Sequence, residues 1–447
     1  MPDSLNRRRF LKNSAWLSSS LALGVHVIPL RAAESISVSE RLNIAAVGTS
    51  NQAGHNIKQL AGENIVALAD VDEQQLDRAG VQYSKARKYR DWRVMLEKEE
   101  KRIDAVVVST PDHVHAPAAA MALRMKKHVF CEKPLTHTVY EARVLAELAR
   151  QNKLVTQMGT NIHAGDNYRR VVELVQTGAI GAVREAHVWV AVDYSGRRLI
   201  TGMPTPSHLD WDLWLGPAAV RPYCESITSD GSVIPIHPHH WRRFWDYGTG
   251  GIGDFGCHYI DLAHWALKLM HPTKISAAGP TPELNSTTSG LVVNFEYPAR
   301  GSLPPVKVTW YDGGKQPEIL ATLKDGDGKP LQWPNGQLFV GSDGMVISDY
   351  SRHMLLPAKQ FADFQRPEPF IPKSLGHHQE WVHAIKTNGP TTCNFDYSGA
   401  LTEVVLLGVA SYRSGETIEW DAANLKVTNS PSAQQFIHKE YRKGWQL

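Results

Sequence analysis

The sequence predicts an α/β fold in two domains, a parallel doubly wound sheet followed by an α+β domain with an open, mainly antiparallel sheet. The chain has 447 residues, more than one ordinary hydrophobic core holds, so about two domains are expected. From residue 43, short apolar runs alternate with helical patterns, which is typical of a parallel sheet. After about Gly159 the alternation gives way to period-two segments joined by Gly- and Pro-rich loops, which indicates antiparallel strands.

In the first domain each predicted strand is a short apolar run and each predicted helix a longer polar or alanine-rich stretch. Strands are predicted at 43–47, 65–69, 103–109, 128–131 and 154–157. Helices are predicted from residue 56 and over 72–87, 116–127 and 138–152. Since parallel neighbours need a crossover between them, this order predicts a doubly wound sheet.

The second domain is predicted to begin with a helix over 168–177 and a strand over 183–190. Further strands are expected at 290–297, 306–311 and 337–348. Helices over 377–386 and 398–413 close the chain, and we expect them to pack back on the first domain. The predicted domains are therefore 34–158 and 159–447, after a separate segment at 1–33.

Residues 1–33 have the order of an export signal, a basic cluster followed by a mostly apolar stretch at 15–30. Residues 7–12 match the pattern Arg-Arg-x-Phe-Leu-Lys and resemble the bacterial twin-arginine signal. The alternatives are a basic tail without a targeting role and a permanent anchor, for which the ~20 apolar residues of a spanning helix are missing. We expect export by the twin-arginine machinery to a periplasmic or extracytoplasmic location, cleavage near residue 33, and no stable membrane insertion afterwards.

The charge of the chain is almost balanced, with 48 Lys and Arg against 45 Asp and Glu, a net charge of +3. Residues 1–33 hold five basic residues and one acidic residue, which is +4, so the remainder carries −1. This balance argues against nucleic-acid binding. Four scattered cysteines are too few for a disulfide framework and fit folding in a reducing compartment before export.

A glycine-containing loop stands between the first predicted strand and helix, where backbone N–H groups can bind a pyrophosphate. It keeps the first glycine and the final alanine of Gly-x-Gly-x-x-Gly/Ala but has serine at the centre. An ordinary strand-to-helix turn explains this loop equally well when it is taken alone. The predicted cofactor-binding residues here are Gly48, Ser50, Asn51, Gln52 and Ala53.

Asp70 ends the next strand, 22 positions after Gly48, which is the spacing of a carboxylate that accepts from a ribose 2′-hydroxyl. A carboxylate there would repel a 2′-phosphate, so the predicted cofactor is NAD, with NADP as the less favoured alternative. The alternative role of Asp70 is a helix N-cap, which does not conflict with cofactor binding.

Three further motifs make the chain resemble the Gfo/Idh/MocA family, named for glucose-fructose oxidoreductase, inositol dehydrogenase and a rhizopine-catabolism protein. They are Ser-Thr-Pro-Asp-His-Val-His at 109–115, Glu-Lys-Pro-Leu at 132–135, and Gly-Gly-Ile-Gly-Asp-Phe-Gly-Cys-His-Tyr-Ile-Asp at 250–261. The resemblance implies a Rossmann domain, a second α+β domain with an open sheet, NAD(P)-dependent chemistry on a carbohydrate or polyol, and a homo-oligomer. It also implies catalytic roles for Lys133, Asp254 and His258, and a cofactor-side position for Thr110, Pro111, Asp112, His113, His115, Glu132 and Lys133.

The same residues suit alcohol oxidation on chemical grounds, which needs a proton acceptor and a cationic group at one carbon. Lys133 can stabilise a developing alkoxide. Asp254 and His258 stand at i and i+4 on a helix, where the carboxylate can orient an imidazole with an ordinary pKa of about 6.5. Asp261 lies one turn further. The alternative is a surface lysine and a core histidine with structural roles.

Several residues of the second domain are candidates for contacts to the sugar. For each of them, packing between the domains is the alternative role. The predicted substrate-binding residues are Asn161, His163, Tyr168, Arg169, Trp241, Arg242 and Asp261. The histidines at 237–240 also allow a metal site, which we disfavour because Pro238 constrains them and the chemistry needs no metal. No metal is therefore predicted.

Export has a consequence for the cofactor, because no obvious pool of free nicotinamide nucleotide exists outside the cytoplasm. A cofactor bound before export must stay bound and return to its starting redox state in each cycle. We therefore expect an oxidoreductase with retained NAD. The alternatives are a redox-neutral glycosidase or lyase working through a transient keto-sugar, and a non-catalytic sugar- or nucleotide-sensing scaffold. Ser50 is a departure from the motif that places a side chain where close backbone approach is usual.

Overall fold

The computed structural model describes residues 40–447. The predicted signal at 1–33, with its cleavage site, lies outside the described residues. Within the described part, no helix combines the length and apolar character needed to cross a membrane.

The amino-terminal part is a six-stranded sheet in the order β3-β2-β1-β4-β5-β6 in which every neighbouring pair is parallel. Its strands are β1 Asn43–Val47, β2 Asn64–Ala69, β3 Arg87–Tyr89, β4 Ala105–Val108, β5 His128–Cys131 and β6 Thr156–Met158. Its helices are α1 Gln52–Gln59, α2 Glu73–Gln82, α3 Trp92–Glu99, α4 Asp112–Arg124 and α5 Val139–Asn152. The predicted parallel, doubly wound sheet is confirmed.

The helix predicted over 72–87 was too long, and two elements after it were not predicted. Asp72 caps α2 by accepting from the N–H groups of Gln74 and Gln75, and the helix ends at residue 82. The chain then forms β3, a short and largely exposed edge strand paired only with β2. Such a polar strand lacks the apolar run by which the other strands are recognised. Helix α3 begins after a second cap, Asp91.

The second part is a nine-stranded sheet in the order β16-β15-β14-β7-β13-β12-β11-β17-β18, antiparallel except for the pair β7 and β13. Its strands are β7 Glu185–Trp189, β11 Lys274–Ala278, β12 Val292–Tyr297, β13 Val306–Tyr311, β14 Gly336–Val340, β15 Met345–Ser348, β16 His353–Leu356, β17 Ile418–Asp421 and β18 Lys426–Val427. This confirms the predicted open, mainly antiparallel sheet. The segment 337–348 is a hairpin of two strands, because Gly341 and Gly344 flank a turn in its middle.

Residues 197–247 form a separate layer that we call the roof. It contains a three-stranded antiparallel sheet of β8 Arg197–Thr201, β9 Cys224–Thr228 and β10 Val233–Pro235, and the short helix α7 Trp211–Leu215. The roof has its own apolar cluster, centred on Trp214, Trp241 and Tyr247. A layer with its own core can keep its shape while it lies over another part of the protein.

The remaining helices connect the two parts of the protein. They are α6 Asp166–Gln176, α8 Gly250–Ala266, α9 His377–Thr387, α10 Phe395–Ser414 and α11 Pro431–Gln434. Helix α10 packs against both α5 and α8, and α9 shares an apolar cluster with β1 and β5. At Gly256 a Cβ would lie 2.7 Å from Val405 of α10, so the absent side chain lets these helices approach closely. Helix α8 thereby packs closely against α10, and it also contacts β7, β13 and β14 of the nine-stranded sheet.

Candidate active site

A cavity of about 440 Å³ lies at the carboxyl ends of the parallel strands, where ligands bind in open α/β sheets. Segments that follow β1, β2, β4 and β5 line it from one side. The roof and helix α8 line it from the other. The predicted residues that line it are Gly48, Ser50, Asn51, Gln52, Ala53, Asp70, Thr110, Pro111, Asp112, Glu132, Lys133, Asn161, Trp241, Arg242 and His258.

The loop after β1 has the geometry of a nucleotide-binding turn. Gly48 has a φ of 91°, and a Cβ there would lie 2.4 Å from the carbonyl oxygen of Ser109. Both facts require glycine at this position. Asn51 precedes α1 without making a side-chain cap, so the helix N-terminus is free to attract an anionic group. This loop fits the pyrophosphate of a dinucleotide, with the Ser50 side chain beside it.

Asp70 joins two loops at the edge of the cavity. Its Oδ2 accepts from Thr49 N at 2.9 Å and Thr49 Oγ1 at 2.8 Å, and its Oδ1 accepts from Asp72 N at 3.0 Å. Burial raises the pKa of this carboxyl, and the hydrogen bonds oppose the rise. Helix α2 is capped by Asp72 rather than by Asp70, so the alternative role considered for Asp70 belongs to its neighbour. Asp70 remains placed for a ribose hydroxyl.

Glu132 is a buried connector between α1 and β5. It accepts from Asn56 Nδ2 at 2.8 Å and Gln52 Nε2 at 3.3 Å, and Asn56 in turn is bonded to His378 of α9 at 3.0 Å. Burial raises the pKa of Glu132. The carboxyl therefore fixes the segment that carries Lys133 relative to the cofactor loop.

Lys133 and Asp254 form an ion pair between the parallel sheet and helix α8. The ammonium donates to the carboxylate of Asp254 and, at 3.0 Å, to its backbone carbonyl. Tyr194 donates its hydroxyl to the same carboxylate at 2.5 Å, and Arg242 Nε lies 3.5 Å from it. Burial opposes ionisation of Asp254, but the charges of Lys133 and Arg242 outweigh it and lower the pKa of Asp254.

His258 lines the cavity but does not pair with Asp254, so the predicted dyad is wrong. The Asp254 carboxylate turns toward two cations and a phenol, which bind it more strongly than a neutral imidazole can. His258 Nδ1 has no hydrogen-bond partner among the described residues. Burial and then the Lys133 charge lower its pKa to about 3, so the expected pKa near 6.5 is also wrong. His258 is neutral at neutral pH.

Asp112 is the cavity-lining carboxyl whose pKa lies close to neutral pH. Thr249 Oγ1 donates to its Oδ2 at 2.8 Å. Burial and the nearby charge of Asp254 raise its pKa to about 7, against the opposing effect of Arg242. A carboxyl of this kind can hold or release a proton under ordinary conditions.

Two histidines predicted on the cofactor side do not reach the cavity. His113 is buried and its Nε2 lies 3.1 Å from the carbonyl of Trp214 in the roof. The ring of His115 is buried between the carbonyls of Pro134 and Thr110, each at 2.8 Å. Both brace loops around the site, and neither is exposed at a helix start as the alternative interpretation required.

Four predicted substrate residues are also buried away from the cavity. His163 and Asp261 bond to each other at 3.0 Å, and Asp261 also accepts from Tyr397. Tyr168 donates to the carbonyl of His258 at 3.1 Å, and Arg169 donates to the carbonyl of Pro372 at 2.8 Å. These side chains support α8 and its surroundings from behind. They sit on helix faces that the sequence alone did not orient.

The roof is hydrogen-bonded directly to the loop after β2. No sequence motif predicted this contact. His237 Nε2 lies 3.0 Å from Asp72 Oδ2, while Trp214 Nε1 donates to His237 Nδ1 at 3.1 Å. Because Nδ1 accepts, Nε2 carries the proton that is donated to Asp72. Among residues 40–447 no group of three or more His, Cys, Asp or Glu side chains is arranged to hold a metal ion. Tyr194 and Trp214 are site residues that the sequence analysis missed, and His237, considered there only as a metal ligand, instead bonds the roof to Asp72.

A dinucleotide-binding turn and a lysine–carboxylate pair at the strand ends define the class of nicotinamide-dependent oxidoreductases. Comparison with known families makes this specific. The chain belongs to the Gfo/Idh/MocA oxidoreductase family, matching its NAD-binding Rossmann domain over residues 42–160 and its carboxyl-terminal α/β domain over residues 179–447. The predicted family and NAD as the cofactor are thereby confirmed.

The individual relatives match only part of this chain, and their sequence identity to it is low to moderate. An inositol 2-dehydrogenase of Rubrobacter xylanophilus is 36% identical over 152 residues, which are 32% of this chain and 42% of that protein. A glycosyl hydrolase family 109 protein of Shewanella pealeana is 28% identical over 205 residues, 40% of this chain and 44% of that protein. These alignments span less than half of either relative. A levoglucosan dehydrogenase in complex with NADH and levoglucosan shares the fold, with a TM-score of 0.57, 16% identity, and coverage of 85% of this chain and 99% of that one.

Proposed function

We propose that this protein oxidises or reduces a secondary hydroxyl or carbonyl carbon of a sugar, glycoside or polyol by hydride transfer, with NAD retained between turnovers. The observation that carries the proposal is the Lys133–Asp254 pair, which joins the two parts of the protein at the cavity that the nucleotide loop lines. NAD bound there would supply the hydride acceptor, and because it is retained, the NADH formed would have to be reoxidised in place, by reduction of a second sugar or of the same substrate. A sensing scaffold would not need this pair, so we place that alternative last.

Lys133, His258 and Asp112 each have a separate role in the proposed reaction. Lys133 stabilises the oxygen that becomes an alkoxide, because its ammonium is fixed at the cavity by Asp254. His258 presents a neutral imidazole to the cavity and orients the reacting hydroxyl as a hydrogen-bond partner. Its low pKa makes it a weak base. Asp112, with a pKa of about 7, is better matched to accept the hydroxyl proton near neutral pH.

The roof supports cofactor retention, because it covers the cleft and is bonded to the sheet beneath it. Glu73 N donates to the carbonyl of His208 at 2.9 Å, and Asp210 N donates to the carbonyl of Val71 at 3.0 Å. These bonds flank the contact between His237 and Asp72. A dinucleotide under the roof leaves only if this edge opens, which slows release relative to an open cleft.

A redox-neutral glycosidase or lyase is the second candidate. The similarity to the glycosyl hydrolase family 109 protein favours it, and so would the proposed retention of the cofactor. In that cycle a hydroxyl is oxidised transiently, the neighbouring C–H proton is removed and a substituent is eliminated. In a glycosidase water then adds to the double bond, whereas in a lyase the double bond stays, and in both the ketone is reduced again by the hydride removed in the first step. Asp112 and His258 line the same cavity and supply the groups that such proton transfers need.

Export by the twin-arginine route and assembly into a homo-oligomer belong to the same proposal. The first rests on the sequence at 7–12 and the second on the family resemblance. Cell fractionation with amino-terminal sequencing of the exported protein tests export, and a mature protein that begins at Met1 would contradict cleavage. Sedimentation of the purified protein tests assembly.

The proposed function is tested on purified native protein. We expect denaturation to release about one NAD per chain, and we expect incubation with sugars and aryl glycosides to turn over substrate. Accumulating NADH indicates net oxidation, and product without NADH indicates an internal cycle. Absence of nucleotide together with no binding on titration would refute the enzyme proposal.

Lys133→Met tests the site itself. We expect NAD content to be unchanged and turnover to fall at least ~100-fold, the usual loss when an electrostatic catalytic group is removed. Lys98→Met, on the exposed side of α3, is the matched control. Undiminished turnover of Lys133→Met would remove this residue from the mechanism.

A further inference from the structure

Two arginines near the site are not paired with any carboxylate in the part of the chain that the structure describes. Arg197 begins β8, and its Nη1 is buried without a hydrogen-bond partner. Arg243 lies in the roof, and its guanidinium makes one weak bond, 3.4 Å long, to the carbonyl of Ser195. His240 beside them has a buried Nδ1 that also lacks a partner.

These groups repel one another. Burial and then the neighbouring charge of Arg197 lower the pKa of Arg243. Burial lowers the pKa of His240, and the charges of Arg197 and Arg243 contribute to the shift. Asp193 attracts Arg243 only at longer range, because the carboxylate of Asp193 is engaged by the backbone and hydroxyl of Ser195 at 2.8 and 2.5 Å. Two half-buried guanidinium groups without a bound anion are a destabilising arrangement that an anion would relieve.

The cluster adjoins the reacting end of the cavity. The Arg243 guanidinium lies 4.9 Å from the centre of the Tyr194 ring, and the hydroxyl of Tyr194 donates to Asp254. Arg242, the residue before Arg243 in the chain, lines the cavity and lies 3.5 Å from the same carboxylate. One tyrosine side chain therefore separates Arg243 from the Lys133–Asp254 pair, and Arg197 lies close enough to Arg243 for its charge to lower the pKa of Arg243. Arg197, Arg243 and His240 are not among the residues that line the cavity, so an exocyclic group of a sugar bound at Lys133 would have to reach past Tyr194 to contact them.

We propose that Arg197, Arg243 and His240 form a subsite for a negatively charged substituent of the substrate, the carboxylate of a uronic acid or a sulfate or phosphate ester. This inference rests on the proposed function, since it names the substrate class of the same site. Guanidinium groups bind planar carboxylate and tetrahedral oxyanions through paired hydrogen bonds. Lys133 and Arg242 are already engaged with Asp254, so the substituent is bound by the cluster rather than by the catalytic lysine.

The experiment compares matched sugars on the NAD-containing protein. Methyl glycopyranosides of gluco, galacto and manno configuration are titrated by calorimetry and assayed for turnover, each beside its uronate, its 6-sulfate and its 6-phosphate. We expect at least one anionic member to bind about 10- to 100-fold more tightly than its neutral counterpart, the usual worth of hydrogen bonds to charged groups. The three anionic series distinguish carboxylate, sulfate and phosphate.

Variants then assign the preference to the cluster. Arg197→Met and Arg243→Met are expected to remove most of the preference through KM and Kd, with a much smaller effect on neutral sugars than on anionic ones. Arg198→Met, an exposed neighbour on β8, should keep it. Arg197→Lys should restore part of it, and NAD content shows that each variant is folded.

The outcomes separate this inference from the proposed function. Oxidation of neutral sugars with no preference for any anionic series, or a preference that survives both methionine variants, overturns the subsite and leaves the oxidoreductase standing. Arginine-dependent binding of an anionic sugar without any redox or elimination product supports the subsite and overturns the proposed reaction.

Discussion

Asp112→Asn offers a quantitative test of the electrostatics of the cavity. The pKa of Asp112 is raised from 3.8 to about 7, mainly by burial and by Asp254. At about 1.4 kcal/mol per pKa unit, its ionised form destabilises the folded state by up to about 4 kcal/mol. Asparagine is nearly isosteric, stays neutral, and its side-chain oxygen can still accept from Thr249. The substitution therefore removes the charge and keeps the packing.

The sign of the effect follows from proton linkage. Since the folded pKa of Asp112 lies above its unfolded value, the folded state binds the extra proton between about pH 4 and pH 7. The stabilising effect of that proton is present in full below about pH 4 and is lost as pH rises through about 7. The Asp112→Asn variant lacks this titration. Its stability relative to the natural protein should rise across the same window and level off above it.

Urea unfolding followed by tryptophan fluorescence at several pH values between 4 and 8 measures this difference, with infrared spectroscopy of the protonated carboxyl as a direct check. Asp77→Asn, which removes an exposed carboxylate paired with Lys88, is the control. Turnover of the natural protein should also increase with pH up to about 7, as Asp112 ionises and becomes able to accept a proton. Parallel stability curves for Asp112→Asn and the natural protein would refute the raised pKa, and an unchanged pH–rate profile would refute the role as base.

Two further predictions concern cofactor binding. Gly48→Ala should abolish NAD retention, because its Cβ would lie 2.4 Å from the carbonyl of Ser109; nucleotide content after gel filtration measures this, and Gly62→Ala, which meets nothing within 4 Å, should behave normally. His237→Phe should release NAD about 10- to 100-fold faster, since it loses a charge-assisted bond to Asp72. Release measured by dilution at an unchanged rate would show that the roof does not control exit.

The parallel sheet was predictable because its central strands are buried on both faces. In β4 all four residues are buried, and such apolar runs separated by helices have few other solutions. The edge strand β3 escaped prediction for the opposite reason, since it is exposed and polar. Residues at strand ends were also predictable as a group. Lys133 lies two positions after β5 and Asp112 four positions after β4, and parallel topology brings the segments that follow such strands to one edge.

Residues of the second part were harder to place, because their position depends on which face of a helix points to the cavity. His163 and Asp261 are of suitable chemical types but bond to each other inside the protein. Tyr194 lies in a loop without a motif and becomes part of the site only through its contact with Asp254. Motif spacing does not predict a contact between residues 60 positions apart in the sequence. The failure of the Asp254–His258 dyad has a different cause, competition from Lys133 for the same carboxylate.

The roof couples cofactor retention to catalysis, because it supplies both the cover and part of the reacting end. Trp241 and Arg242 line the cavity, and Arg242 lies 3.5 Å from the carboxylate of Asp254. If the roof opens for NAD to leave, this guanidinium moves away from Asp254 and the charge balance around Lys133 changes. A cycle that regenerates NAD in place keeps the site assembled throughout, whereas a cycle that exchanges NAD dismantles it once per turnover. Under the proposed function this coupling is a reason to expect an internal redox cycle, and a variant with a loosened roof should lose turnover together with its cofactor.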